Sequence, residues 1–182
     1  MNRALLVIDY TNDFVADEGA LTCGKAAQAL DPFLTHLSRE FIDQGQLLVY
    51  GVDIHEEGDL YHPETKLFPP HNIRGSEGRH LYGKTGDVYT ANADNPSVLH
   101  IAKTRYSAFA GTNLDMKLRE RGVTELHLTG VCTDICVLHT AVDAYNLGYS
   151  LTIYREGTAS FNEAGHAWAL SHFETTLGAK VI

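Results

Sequence analysis

Short runs of consecutive apolar residues alternate along the chain with segments whose apolar residues recur at helical spacing. Apolar runs without polar alternation are typical of strands that a parallel sheet covers on both faces. Six segments are strand candidates: residues 3–8, 46–52, 98–103, 125–129, 150–154 and 181–182. The helical spacing predicts four helices: residues 30–42, 114–121, 134–147 and 162–177. Glycine directly follows each of the last three, as is common at helix ends.

The order of these elements predicts the fold class. It reads β-α-β, a long insert, and then β-α-β-α-β-α-β, which is typical of an α/β domain with right-handed crossovers. We expect a single domain over residues 1–182, with an irregular insert at about 53–95. In such sheets, ligands bind beyond the carboxyl ends of the strands, so the residues that follow each strand are the candidates for function.

Composition narrows the class of protein. The chain has 182 residues and a formal net charge of −9, which excludes the basic surface that phosphate-backbone binding needs. No stretch approaches the roughly 20 apolar residues of a membrane span. The apolar run at residues 4–8 is too short for the core of a signal peptide. We therefore expect no nucleic-acid or membrane partner, and a cytoplasmic location in which the three cysteines are reduced thiols.

Reactive side chains follow four of the predicted strands. The first strand is followed by Asp9, the second by Asp53, and the third ends in Lys103. The fourth leads through GVCTDICV to Cys132 and Cys136. Each residue alone has an ordinary structural explanation, such as a turn carboxylate or a surface lysine. Their expected convergence on one sheet edge is what favours a catalytic site.

The two cysteines of GVCTDICV are predicted to differ in role. If Thr133 caps the following helix, Cys136 lies in its first turn, where the helix dipole and a nearby Lys103 would favour a thiolate. Cys132 precedes the cap and faces elsewhere, so a disulfide with Cys136 is geometrically disfavoured. A closed zinc site would need a second Cys or His pair. The alternative is that both cysteines are simply small, buried hydrophobic residues without a chemical role.

A second group of polar residues occupies the insert. Asp53 and His55 point the same way in an extended segment, and Glu64 and His71 follow. Mixed carboxylate and imidazole ligands suit zinc, iron or manganese, whereas ordinary surface histidines are the alternative. Aromatic residues flank these motifs and would line either a pocket or the core: Phe14, Phe68 and Tyr106.

Taken together, these motifs resemble the isochorismatase-like cysteine hydrolases and, within them, the nicotinamidases. The resemblance covers nearly the whole chain, and the Asp…Lys…Cys order with GVCTDICV carries it. It implies a three-layer α-β-α, Rossmann-like domain with a mostly parallel six-stranded sheet. The metal residues point to the nicotinamidases, because the isochorismatases proper lack such a site.

The resemblance also implies roles for individual residues. The catalytic triad would be Asp9 as base and acid, Lys103, and Cys136 as nucleophile. The oxyanion hole would use the backbone N–H groups of Cys132 and Cys136, after a cis peptide between Val131 and Cys132. The metal ligands would be Asp53, His55, Glu64 and His71, although His62 could take the place of Glu64. The substrate pocket would comprise Phe14, Phe68, Tyr106 and Val131.

The implied activity is hydrolysis of the small molecule nicotinamide, or a close analogue, to its acid and ammonia through a thioester. The implied cofactor is one divalent metal ion, zinc in the first place with iron or manganese as alternatives, and no organic cofactor. A homo-oligomer is left open. Two rival functions remain: the same triad acting on another amide, a carbamoyl compound or isochorismate, and a non-catalytic metabolite-binding module.

Overall fold

Six strands form one sheet in a computed structural model that describes residues 3–182. The strands are Arg3–Ile8 (β1), Leu47–Asp53 (β2), Val98–Lys103 (β3), Glu125–Val131 (β4), Ser150–Ala159 (β5) and Lys180–Val181 (β6). Their order is β3-β2-β1-β4-β5-β6, and every neighbouring pair is parallel. Residues 1 and 2, which the predicted domain includes, lie outside the described residues.

Helices connect the strands. They are Asn12–Val15 (α1), Gly24–Gln28 (α2), Asp31–Asp43 (α3), Gly83–Ala91 (α4), Leu114–Glu120 (α5), Leu138–Asn146 (α6) and Glu163–Thr175 (α7). Short 3₁₀ turns occur at Pro63–Lys66 and Glu77–Arg79, and a π-helical turn spans Thr133–Val137. Within residues 3–182, none of these helices combines the length and the apolar character that crossing a membrane requires.

Both faces of the sheet are covered, as the uninterrupted apolar strands predict. On one face, Ala4, Leu6 and Ile8 of β1 pack with residues of α5, α6 and α7. On the other face, Leu5 and Val7 pack with residues of α1, α2 and α3. The predicted three-layer α-β-α fold with a parallel six-stranded sheet is confirmed.

Several local features differ from the sequence prediction, among them the short helices α1 and α2, which were not predicted. The insert at 53–95 is not irregular throughout, because it contains the nine-residue helix α4. Strand β5 continues to Ala159, five residues beyond its predicted end. The helix predicted for 134–147 begins with the π-helical turn Thr133–Val137, and the α-helix proper starts at Leu138.

The topology creates a crevice where the strand order reverses, between β1 and β4. Connections leave these two strands in opposite directions along the sheet, so the space beyond their carboxyl ends stays open. Gly130 of β4 pairs with Ile8 of β1 and has a φ of +107°. A Cβ atom at Gly130 would collide with the Ile8 backbone, so glycine permits this close approach.

Candidate active site

The residues that follow the central strands converge in the crevice. Asp9 follows β1, Asp53 and Lys103 end β2 and β3 side by side in register, and Cys136 lies in the π-helical turn after β4. The Lys103 ammonium lies 2.7 Å from Asp9 Oδ2, 2.5 Å from Asp53 Oδ1 and 3.6 Å from Cys136 Sγ. All four side chains are buried. The structure thus brings together the side chains expected at one sheet edge.

Asp9 is held in a conformation that few non-glycine residues adopt. Its φ is +51°, in the left-handed region. The Asp9 N–H donates to the Gly51 carbonyl at 2.9 Å, and its Oδ1 accepts from the Asp53 N–H at 2.8 Å. Strained residues of this kind cluster at functional sites because the surrounding structure must hold them there. The carboxylate is consequently fixed with its second oxygen directed at Lys103.

Burial and mutual charge set the protonation of this group. Burial and the nearby Asp53 carboxylate raise the pKa of Asp9 to about 6. Burial also disfavours ionised Asp53, but Lys103 and His55 outweigh it and lower the pKa of Asp53. Burial opposes the charge of Lys103, but the two carboxylates raise its pKa well above the ordinary value. A permanent cation therefore stands between two carboxyl groups.

The Cys136 thiol differs from its expected state. Burial raises its pKa well above the ordinary value, and although Lys103 lowers that pKa, Asp9 and Asp53 raise it further. The expected resting thiolate is therefore not favoured, because burial together with the two carboxylates outweighs the ammonium of Lys103. Thr133 also does not cap the turn that carries Cys136. Its hydroxyl instead forms a hydrogen bond with Nδ1 of His166, at 2.8 Å.

Cys132 and Cys136 pack into different hydrophobic clusters of the core, Cys132 with the residues around α1, α2 and α3. The peptide bond between Val131 and Cys132 is cis. The Cys132 sulfur lies 3.3 Å from the sulfur of Cys23, and all three cysteines are free thiols. The contact with Cys23, together with burial, raises the pKa of Cys132 well above its ordinary value. Its thiol is thus enclosed with another thiol rather than with a base.

The four predicted metal ligands of the insert form one buried cluster. One potential ligand atom from each of Asp53, His55, Glu64 and His71 lies within 4.8 Å of the others. Among residues 3–182, Asp53 Oδ2, His55 Nε2 and His71 Nε2 are buried without a hydrogen-bond partner. Buried polar atoms are rarely left without partners, so three of them aimed at one point fit a cation. Two imidazoles and two carboxylates suit a divalent metal such as zinc, iron or manganese.

Local contacts orient this cluster. The Nδ1 atom of His71 lies 2.9 Å from the Pro69 carbonyl, which fixes the ring and leaves Nε2 free to bind a metal. Burial and the Asp53 carboxylate raise the pKa of Glu64 to about 7. A bound cation would offset the repulsion between the two carboxylates. The ring of His62 packs against His55, with centroids 4.4 Å apart, but both of its nitrogens have other partners: Nε2 lies 2.8 Å from the Thr104 carbonyl, and Nδ1 accepts from the Glu64 N–H at 3.3 Å. The geometry therefore groups Glu64, rather than His62, with the other three residues.

A narrow cleft with about 240 Å³ of space between its atoms adjoins both groups. It is lined by Phe14, Leu21, Asp53, Glu64, Phe68, His71, Tyr106, Cys132, Ile135, Cys136 and Phe161. Three of the four predicted pocket residues therefore line it. Val131 does not, because it is fully buried in the core. A wider cleft on the outer side of the metal cluster shares Glu64, Phe68 and His71.

Sequence reasoning missed three residues of the narrow cleft: Leu21, Ile135 and Phe161. Ile135 is part of GVCTDICV and could have been inferred from its position beside Cys136. Phe161 follows the carboxyl end of β5, the same kind of position that identified Asp9. Because β5 was predicted to end at residue 154 rather than at Ala159, Phe161 was not recognised as a residue that follows a strand end.

Comparison with known proteins places this geometry in a family. The Isochorismatase domain model matches residues 3–182. The Bacillus subtilis (strain 168) "uncharacterized isochorismatase family protein PncA" is 58% identical over 181 residues, covering 100% of this chain and 99% of that protein.

Two solved structures extend the comparison. A Bacillus subtilis nicotinamidase/pyrazinamidase, PncA, has a TM-score of 0.97 and 55% identity, covering 100% of this chain and 99% of the other. A Pyrococcus horikoshii pyrazinamidase in complex with zinc has a TM-score of 0.87 and 26% identity, again covering 100% and 99%. The resemblance found from the motifs is confirmed, and the chain belongs to the isochorismatase family.

Proposed function

We propose that this protein is a metal-containing nicotinamidase, an amidohydrolase that converts nicotinamide and water to nicotinate and ammonia. The observation that carries the proposal is the buried Lys103 ammonium, which contacts Asp9, Asp53 and Cys136 beside a four-residue metal cluster. The sequence prediction of an amidohydrolase agrees with the description of the Bacillus subtilis structure as a nicotinamidase/pyrazinamidase.

The first chemical step activates the thiol of Cys136. Because this thiol is protonated at rest, a base must remove its proton as the sulfur attacks the carboxamide carbon. Asp9 is the base, and the ammonium of Lys103 stabilises negative charge on the sulfur as it develops. The backbone N–H groups of Cys132 and Cys136 hold the oxyanion of the tetrahedral intermediate.

The intermediate then collapses to a thioester. The C–N bond breaks, Asp9 returns the proton to the leaving nitrogen, and ammonia departs. Asp9 next takes a proton from water, whose oxygen attacks the thioester carbon. The C–S bond breaks, the thiolate of Cys136 takes that proton from Asp9, and the carboxylic acid leaves. One water is consumed for each amide, so the atoms of the overall reaction balance.

Asp53, His55, Glu64 and His71 would hold the metal ion. When bound, the metal supplies a Lewis-acidic anchor for an aromatic ring nitrogen. Zinc is the first candidate, and the Pyrococcus horikoshii pyrazinamidase in complex with zinc supports it. Asp53 would link the two groups, since it is a metal ligand that also binds the ammonium of Lys103.

The cleft favours a small planar substrate. Phe14, Phe68 and Tyr106 line it together with Cys136, and aromatic walls suit a flat ring. Because the cleft is narrow, it suits a flat single-ring amide better than a bulkier molecule. The required reduced thiol agrees with the cytoplasmic location expected from the sequence.

Ammonia release from nicotinamide by the purified, metal-loaded protein tests the proposal. We expect turnover of nicotinamide by the wild type, none by Cys136→Ala, and none by either protein on isochorismate. Trapping with hydroxylamine during turnover should give nicotinohydroxamate, because a thioester is the intermediate. Wild-type protein that leaves nicotinamide intact while hydrolysing a carbamoyl compound or isochorismate would refute the assigned substrate.

A further inference from the structure

Two polar residues of GVCTDICV lie outside the chemistry described above. Thr133 and Asp134 stand between Cys132 and Cys136, yet neither contacts Asp9 or Lys103 through a hydrogen bond that the structure records. Both side chains reach instead to the segment that follows β5. Their contacts tie the turn that carries the nucleophile to another wall of the cleft.

The first tie joins Asp134 to Ser160. The Ser160 hydroxyl donates to Asp134 Oδ1 at 2.7 Å, and the same hydroxyl oxygen accepts from the Asn162 N–H at 3.1 Å. Asn162 in turn caps α7 by accepting from the Gly165 N–H at 3.0 Å. Ser160 therefore fixes the backbone on both sides of the intervening residue, Phe161.

The second tie joins Thr133 to α7 itself. The hydroxyl of Thr133, fully buried, is hydrogen-bonded to Nδ1 of His166 at 2.8 Å. Close packing supports both ties, because a Cβ atom at Gly165 would collide with the Asp134 carboxylate. The start of α7 and the Cys136 turn are thus held in one relative position.

Phe161 is the side chain that this arrangement positions. It lines the cleft together with Cys132, Ile135 and Cys136, although 44% of it is exposed. With 44% of its surface exposed, Phe161 is held less firmly by packing than a buried core residue is. The hydrogen bonds of the residues on either side therefore contribute to its place in the wall of the cleft.

We propose that Asp134 and Ser160 are positioning residues that hold Phe161 as one wall of the substrate cleft, and that Phe161 selects planar aromatic amides. The ring of Phe161 would add apolar contact to a bound ring in the cleft that Phe14 and Phe68 also line. The identity of that substrate rests on the proposed nicotinamidase function. The position of Phe161 in the same cleft wall as Cys136 does not.

Kinetics on nicotinamide form the first test. Phe161→Ala should raise KM about 5- to 20-fold and leave kcat within about 3-fold, because ring contacts stabilise ground and transition states alike. Ser160→Ala should shift KM the same way by about 3- to 10-fold, and Ser160→Thr, which keeps the hydroxyl, should restore it. The double variant Ser160→Ala/Phe161→Ala should have the same KM as Phe161→Ala alone, because Ser160 acts through Phe161.

Alkylation of Cys136 by iodoacetamide is the second test, since it requires no knowledge of the substrate. Peptide mass spectrometry should show Cys136 modified about 3- to 10-fold faster in Ser160→Ala and Phe161→Ala than in the wild type, because the wall is displaced or absent. Ser171→Ala replaces an exposed serine elsewhere on α7 and should change neither KM nor the alkylation rate.

The two tests separate the possible failures. If the wild type does not hydrolyse nicotinamide, the proposed function is wrong, and the alkylation rates still decide whether Phe161 is held over Cys136. If KM and the alkylation rate are unchanged in folded Ser160→Ala and Phe161→Ala, the positioning role is refuted. A fall in kcat with unchanged KM would also refute it.

Discussion

The carboxylate of Asp9 and the ammonium of Lys103 are 2.7 Å apart, and both side chains are completely buried. Taking two charges out of water costs several kcal/mol each, and their attraction repays that cost only while both are present. Asp53 increases this dependence on Lys103, because it is a second buried carboxylate that contacts the same ammonium. The site is therefore stable as a charged group and unstable when the shared ammonium is removed, whereas loss of one carboxylate leaves Lys103 paired with the other.

Lys103→Met should both destabilise the protein and inactivate it. The variant leaves Asp9 and Asp53 buried together without a cation, which should lower the free energy of unfolding by about 3–5 kcal/mol. Urea unfolding measures this loss. Lys117→Met is the matched control, because the exposed pair of Lys117 with Glu120 should contribute less than about 1 kcal/mol. Equal stability losses in the two variants would show that the buried pair has no special role.

Asp9→Asn should separate catalysis from stability. The amide oxygen can still accept from the Asp53 N–H, and the side chain keeps its volume. An amide cannot remove the proton of Cys136, so kcat should fall by about 10²–10⁴-fold. Ammonia release at saturating nicotinamide measures kcat, and circular dichroism checks the fold. A folded Asp9→Asn protein with near wild-type kcat would exclude Asp9 as the base.

The two cysteines of GVCTDICV should respond very differently to replacement. Cys136→Ala removes the nucleophile and should lower kcat by about 10³-fold or more. Cys132→Ala keeps the backbone N–H that we propose holds the oxyanion, so its activity should stay within about 10-fold of the wild type. Its main effect should be a stability loss of about 1 kcal/mol from the lost contact with Cys23.

Cys23→Ala is the control for that loss, because it removes the other sulfur of the same contact and lies outside the oxyanion hole. It should match Cys132→Ala in thermal stability and the wild type in kcat. If Cys132→Ala instead lost activity as completely as Cys136→Ala, the assignment of a single nucleophile would fall.

Much of the fold could be predicted because its signals are local. Strand β1 was identified at its observed bounds, since its apolar residues are covered on both faces. Helix α4 gave no such signal, because its buried residues are Thr85, Gly86 and Val88 rather than an apolar stripe. The carboxylate of Asp31, some 50 residues away, accepts from the N–H groups of Lys84 and Thr85 at the start of α4. The spacing of apolar residues along the chain gives no information about a contact between residues so far apart in sequence.

Within the site, too, local sequence patterns identified residues but not the properties that depend on distant contacts. Asp9, Lys103 and Cys136 could be proposed because residues at the carboxyl ends of parallel strands meet at one edge. The protonation of Cys136 could not be derived that way, since it depends on how Asp9, Asp53 and Lys103 are arranged around the sulfur. The capping role predicted for Thr133 failed for a related reason. His166, 33 residues further along, competes for its hydroxyl.

Glu64, rather than His62, should hold the metal. Glu64→Gln removes a charged ligand from the cluster and should weaken zinc binding at least about 10-fold. His62→Gln should leave zinc affinity within about 3-fold, because the Nε2 atom of His62 faces the Thr104 carbonyl. Competition with a chromophoric zinc chelator measures both affinities without reference to activity. The opposite ranking of the two variants would move the ligand assignment to His62.

His100 should make the stability of the protein depend on pH. It lies partly buried on β3 against Tyr89, and burial together with the positive charge of Arg79 lowers the pKa of His100 to about 4. In the unfolded chain the pKa is near 6.5, so between pH 4 and 6.5 the unfolded state binds more protons than the folded state. The contribution of neutral His100 is therefore complete above pH 6.5 and is lost as the pH falls towards 4.

His100→Gln should remove this dependence. The wild type should lose about 1–2 kcal/mol more than the variant when the pH is lowered from 7.5 to 4.5, after allowance for the partial exposure of the imidazole. Urea unfolding of both proteins at the two pH values measures the difference, and comparing the two cancels the titration of the other histidines. Parallel losses in the two proteins would mean that His100 is protonated in the folded state as readily as in the unfolded chain. The cavity between α4 and β3, where Arg79 and His100 meet, would then be open to water and counterions.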